Sequence, residues 1–170
     1  MSEQNAIPTV TVTDTEPRRT IAIAIDSSKY SAHAFQFALD NYLKPTDYVA
    51  LINVQQYQST VHKARSPPAD TATPMEESYD ILEKYSKILK AKHYEYKEVF
   101  IHPNEISVKE SVVRAVATLK ADALIIGSRG EAATRSALGS VSDYCAHYCQ
   151  CPVLIARPNE EDSEAGLTAA

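Results

Sequence analysis

Strand-length apolar runs, separated by segments of helical period, set the tightest limit on what this chain can fold into. Thr20-Ile-Ala-Ile-Ala-Ile25 is apolar at consecutive positions rather than alternate ones, as a strand covered on both faces requires. Tyr48 to Val54, Asp122-Ala-Leu-Ile-Ile126 and Pro152-Val-Leu-Ile-Ala156 repeat the pattern, and Tyr94 to Ile101 is a more polar version suited to a place nearer a sheet edge. The segments between them have helical spacing. Lys29 to Tyr42 carries Tyr30, Ala34, Phe37, Ala38 and Tyr42; Pro74 to His93 carries Tyr79, Leu82, Tyr85 and Leu89. Glu105 to Lys120 carries Ile106, Val112, Val113, Val116 and Leu119, and Leu138, Val141, Cys145 and Tyr148 mark a fourth helix. The order β-α-β-α-β-α-β-α-β predicts an α/β fold with a parallel sheet and helices on both faces. One domain is expected over residues 20–158, with a polar, disordered tail over 1–19 and an acidic tail over 159–170. Gln55 to Thr73 reads as a long polar connection carrying Pro67-Pro68. A connection of that length is uncommon and is often a lid or an insert.

In a sheet of this kind ligands bind beyond the C-terminal strand ends, where the strand order reverses. Two features lie at such ends. Asp26 follows the first strand, and Gly127-Ser128-Arg129-Gly130 follows the fourth, leading to Gly139-Ser140 at a helix start. Three of the chain's four glycines fall within these thirteen residues. Turns elsewhere use Pro, Asp, Asn and Ser. Glycine is needed where the backbone takes a positive φ or approaches something closely. Glycines running into a helix N-terminus make a cradle of backbone N–H groups for an anion, and Arg129 and Arg135 can add positive charge. Two purely structural readings stand beside this one. Ser140 with Asp143 resembles a capping box, and Asp26 can serve as the N-cap of the helix that follows it. The loop is neither a P-loop nor a dinucleotide GxGxxG, because it lacks Gly-Lys-Ser/Thr and follows the wrong strand.

Charge and cysteine content exclude other classes. The formal net charge is −5, and no basic stripe offsets it, so neither nucleic acid nor a membrane surface is an expected partner. Met1 to Glu16 has no basic start and no apolar core, which predicts no secretory leader. Cys145, Cys149 and Cys151 crowd one region without a second ligand pair elsewhere. That pattern fits neither a disulfide framework nor a zinc site, and it predicts a reducing compartment, the cytoplasm. The histidines are scattered and assemble no catalytic arrangement. Ser66-Pro67 is a candidate phosphorylation site in what otherwise reads as a solvated loop.

The motif Ile126-Gly-Ser-Arg-Gly130 … Leu138-Gly-Ser-Val-Ser-Asp-Tyr-Cys145 … Cys151-Pro-Val-Leu-Ile155 resembles the universal stress protein family. The likeness extends to Ile21-Ala-Ile-Ala-Ile-Asp26, Ala38-Leu-Asp40, Leu51-Ile-Asn-Val54 and Ala121-Asp-Ala-Leu-Ile-Ile126, and it has the flavour of single-domain, plant-type members. The resemblance implies a five-stranded parallel sheet in the order 3-2-1-4-5, a Rossmann-like adenine nucleotide-binding fold. It implies ATP or AMP, with or without Mg, lying across the gap between the first and fourth strands. By position Asp26 then meets the adenine end with the Val54 backbone beside it. Gly127, Ser128, Arg129, Gly130, Gly139, Ser140, Val141 and Ser142 surround ribose and phosphates. It further implies a homodimer through the last strand, Val153 to Ala156, and a protein partner that the sequence does not identify.

One departure bears on the ligand. Eight residues separate Gly130 from Gly139, one fewer than in the family's nucleotide-binding pattern. The loop opens Glu131-Ala132-Ala133, and an inward-facing Glu131 would repel a triphosphate. Adenosine or AMP is therefore easier to accommodate than ATP. The expected function is a nucleotide-binding stress-response regulator with little or no turnover. The alternative is a dimeric scaffold or chaperone-like stress protein that binds no nucleotide. An enzyme sharing this sheet would need a catalytic signature after the first strand, and Asp26-Ser27-Ser28-Lys29 is not one.

Overall fold

A computed structural model describes residues 18–55, 73–102, 106–130 and 138–158. The polar connection with Ser66 and Pro67, the loop residues Glu131 and Arg135, and most of the expected tails lie outside them. The described domain opens with two anchored arginines. Arg19 donates to both carboxylate oxygens of Asp47 at 2.9 and 2.6 Å, and Arg18 pairs with Glu95.

The elements run β1 (Thr20–Ala24), α1 (Lys29–Phe37), β2 (Tyr48–Val54), α2 (Pro74–Ala91), β3 (Glu95–Ile101), α3 (Val108–Leu119), β4 (Ala123–Gly127), α4 (Ser140–Tyr148) and β5 (Val153–Ala156). The five strands form one sheet in the order β3-β2-β1-β4-β5, with every pairing parallel. The continuous apolar runs are explained by the two cores. Ile21, Ile23, Leu51 and Ile125 face Phe35, Leu82 and Leu89 on one side of the sheet. Ala22, Ala24, Ile52, Leu124 and Ile126 face Val112, Val116 and Cys145 on the other. Each such side chain, fully buried, contributes about 1.5–3 kcal/mol of hydrophobic stabilisation for the larger residues.

Helix ends differ from the expectation in two places. The first helix does not run regularly to Tyr42. It leaves α-geometry at Ala38, and the Leu43 N–H bonds the Ala38 carbonyl at 2.8 Å across a wider turn. The third begins at Val108 rather than Glu105, because Ser107 and Glu110 form a capping box there. Thr73 and Glu76 do the same for α2. Both glutamates are held below the usual carboxylate range by bonds to their cap residues.

Glycine is withheld even where it is commonest. His93 and Lys120 take positive φ values of 62° and 50° beyond the ends of α2 and α3, positions that often carry glycine. Glycine is instead concentrated in the loop after β4.

Candidate nucleotide site

The strand order reverses at β1: β2 and β3 lie to one side, β4 and β5 to the other. A crevice is expected at the C-terminal ends of β1 and β4. Continuing the observed registers, Ala24↔Ile52 and Ile23↔Ile125, brings Asp26 level with Val54 on one side and Ser128 on the other.

Asp26 is not the N-cap of α1. Ser28 is, its hydroxyl accepting the Ser31 N–H at 3.1 Å. A residue two positions before the cap cannot reach the open N–H groups of the first turn in the same way. Asp26 Oδ1 instead accepts the Ser28 N–H at 2.9 Å, and the Asp26 N–H donates to Ser31 Oγ at 2.9 Å. These bonds hold the carboxylate in place and leave Oδ2 directed toward Gly130. A Cβ built on Gly130 would lie 3.1 Å from that oxygen, so the two strand ends meet at these residues.

The base of the glycine loop is closed by its own bonds. The Ser128 carbonyl accepts the Gly139 N–H at 2.8 Å and the Ser142 hydroxyl at 3.1 Å. The Ser128 N–H donates to Ala156 O of β5 at 2.9 Å. Ser128 and Ser142 are thereby buried. Gly139 is needed because a Cβ there would come within 3.1 Å of the Arg129 Cα. Gly127 answers to a different neighbour: its Cβ would lie 2.7 Å from the backbone C and O of Tyr30 in α1. None of the described glycines has a positive φ. Close backbone approach, not turn geometry, accounts for Gly127 and Gly139, whereas a Cβ at Gly130 would meet only the end of the Asp26 side chain.

Helix α4 starts at Ser140 with Gly139 as N-cap and no side-chain cap. The Ser140–Asp143 pair is therefore not a capping box. Ser140 stands inside the first turn, where its side chain cannot act as the cap, and the Asp143 N–H bonds the Gly139 carbonyl. The first-turn amides of Ser140, Val141 and Ser142 are left without an intrahelical partner. Arg129 lies close to them in space, its Cα against Gly139 and its guanidinium 5.8 Å from the centre of the Tyr30 ring.

Val54 is half-buried at the end of β2. Three residues of this neighbourhood were not singled out from the sequence: Ser31, Asn53 and Gln55. Asn53 had a legible signal, a polar amide inside an apolar run. Gln55 and Ser31 had none.

The cysteines sit apart from this crevice. Cys145 is buried in the core beside α3, and burial pushes its thiol up to about 12. Burial also raises Cys149 and Cys151. Among the described residues no group of three or more His, Cys, Asp or Glu is arranged to hold a metal. Likewise, no described helix is long and apolar enough to cross a membrane.

The sequence also matches the model of the universal stress protein family over residues 17–157. The chain belongs to this family. It is 31% identical over 172 residues to Universal stress protein PHOS34 of Arabidopsis thaliana, an alignment covering 87% of the chain and 65% of that relative. The chain thus spans about two thirds of that relative's length. Among solved universal stress proteins, one from Arabidopsis thaliana described with AMP bound superposes with a TM-score of 0.66 at 18% identity, covering 85% of this chain and 94% of that one. One from Archaeoglobus fulgidus in complex with dAMP gives 0.58 at 16% identity, covering 82% and 97%. At these identities the structural likeness establishes the shared fold. The order 3-2-1-4-5 expected from the family motif is the order observed.

Proposed function

We propose that this universal stress protein binds an adenine nucleotide, preferentially a monophosphate, across the ends of β1 and β4, and acts as a stress-response regulator. The observation that carries the reading is the Asp26 carboxylate, held at Oδ1 by the Ser28 amide, its backbone N–H bound to the Ser31 hydroxyl, and its Oδ2 facing Gly130 across the strand switch. A carboxylate accepts hydrogen bonds and repels phosphate. It therefore suits ribose hydroxyls or base N–H groups, and the nucleoside end is proposed to lie at Asp26 and the Val54 backbone. The phosphate then falls at the opposite wall. There the open amides of Ser140, Val141 and Ser142 at the α4 N-terminus attract an anion, with Arg129 adding charge. Gly127 and Gly139 let neighbouring backbones come close, and Gly130 leaves room beside the Asp26 carboxylate. The AMP and dAMP complexes of the two solved relatives support a monophosphate ligand.

Outer phosphates have weaker support, so ATP with Mg is the less favoured ligand. The loop is one residue short, and Glu131 adds a negative charge to it. Turnover is proposed to be slow or absent. Asp26, the carboxylate at this site, is bound on one oxygen by the Ser28 amide, and a general base would have to stand near the outer phosphate. The protein is proposed to pair through β5, an edge strand whose Val153, Leu154 and Ile155 are only partly covered, since such an edge calls for a partner. The domain is taken as residues 20–158 and the compartment as the cytoplasm.

Isothermal calorimetry with AMP and ATP tests the reading. Saturable micromolar binding of AMP, lost in Gly130→Val, is the expected result. No heat with either nucleotide overturns it and favours a scaffold that binds no nucleotide. ATP hydrolysis at about 1 s⁻¹ or faster, an ordinary enzyme rate, overturns the regulatory part.

A further inference from the structure

Two buried amides stand at the end of β2, Asn53 within it and Gln55 just beyond it. Asn53 is 3% exposed and Gln55 9%. Asn53 Nδ2 donates to the Ile25 carbonyl at 2.9 Å, which fixes the amide's orientation and makes Oδ1 an acceptor. The Gln55 N–H is used by the Ile101 carbonyl at 3.0 Å. Among the described residues, neither Asn53 Oδ1 nor Gln55 Oε1 has a donor. Residues two apart on a strand share a face. Here it is the face of Val49 and Leu51, turned toward α1 and α2. A buried acceptor without a donor is destabilising, and native proteins hold few of them. Two such acceptors stand on one face, at the end of the sheet where Asp26 also stands. Ile25, whose carbonyl holds Asn53, immediately precedes Asp26.

We infer that Asn53 Oδ1 and Gln55 Oε1 accept the two N–H groups of the exocyclic amine of a 6-aminopurine, and so select adenine over a 6-oxopurine. The inference rests on the nucleotide reading above. An uncharged amine supplies two donors, one for each oxygen. A 6-oxopurine turns lone pairs toward the same two oxygens and leaves both unsatisfied. A site built to bond a donor rejects an analogue without it far more strongly than an apolar site rejects a change of shape.

AMP and IMP differ only along this edge of the base, which makes them the probes. Calorimetry on the full chain is expected to favour AMP over IMP by about 100-fold. Gln55→Leu, with Gln55→Met as a second variant closer in length, is expected to narrow that ratio by about tenfold. The melting temperature without nucleotide should stay level or rise in both variants, because an unsatisfied acceptor has been removed. Equal affinity of the parent protein for AMP and IMP overturns the inference and leaves the nucleotide reading standing. So does an unchanged ratio in both variants, the result expected if a buried water satisfies Gln55. Failure of the parent protein to bind either nucleotide overturns both.

Discussion

Gly127→Ala should damage the fold, while Gly130→Ala should spare it. The Cβ added at Gly127 lies 2.7 Å from both the C and O atoms of Tyr30, where ordinary contact begins at 3.4 Å. The overlap is thus about 0.7 Å against backbone, which has no rotamer to swing away. Relief requires moving the start of α1 off β4. That start carries the Ser28 cap and the Ser31 hydroxyl that accepts the Asp26 amide, and further along α1 Phe35 sits in the core. Overpacking of this kind costs about 1–3 kcal/mol or more, or about 3–10 °C in melting temperature for a domain of this size. At Gly130 the nearest atom is the Asp26 Oδ2, 3.1 Å away at the end of a side chain. A shift of a few tenths of an ångström relieves it, so Gly130→Ala should lie within about 0.5 kcal/mol of the parent protein. Urea denaturation of the three proteins, read by far-ultraviolet circular dichroism, makes the comparison. A Gly127→Ala protein as stable as the parent would show that the close approach of α1 to β4 is not what glycine serves there.

Two further outcomes follow from buried groups. Arg19→Ala leaves Asp47, 1% exposed, with its charge uncompensated by a cation; the Lys44 amide remains as a donor. A loss of about 2–4 kcal/mol in the urea midpoint analysis is expected, and a loss under about 0.5 kcal/mol would refute the pair's role in closing β1 onto β2. Cys145 has a folded pKa of about 12, above its ordinary 9.0. A group raised on folding stabilises fully below its unfolded pKa and loses that contribution as pH rises through the folded one. Stability should therefore fall between about pH 9 and pH 12. The fall should be shallower in Cys145→Ala, and an identical slope in the two proteins would refute the assignment.

The fold was largely legible because its determinants are local. Continuous apolar runs of strand length bounded by turn residues fit strands with two covered faces, and their alternation with helical segments leaves few topologies open. The motif from Gly127 to Ile155 then carried the strand order through family likeness. Helix ends were less legible. Ser107 decides nothing alone, since the wider turn at Ala38 and the capping box at Ser107 depend on which backbone groups are left open. The site was legible as a place but not as a mechanism. Asp26 and the glycines stand out in the chain, yet spacing could not say whether Asp26 caps α1 or whether Gly127 and Gly130 do the same job.

By itself, then, the sequence determined a five-stranded parallel α/β sheet and a glycine loop at the end of its fourth strand. Periodicity and glycine placement act over a few residues and need no knowledge of what lies across the sheet. Tertiary structure alone decided the roles inside that frame. It gave the cap of α1 to Ser28, turned the Asp26 Oδ2 toward Gly130, set Gly127 against Tyr30, and left the side-chain oxygens of Asn53 and Gln55 buried without a donor among the described residues. Each of these depends on contacts between residues distant in sequence, and only the packed chain brings those atoms within a few ångströms of one another.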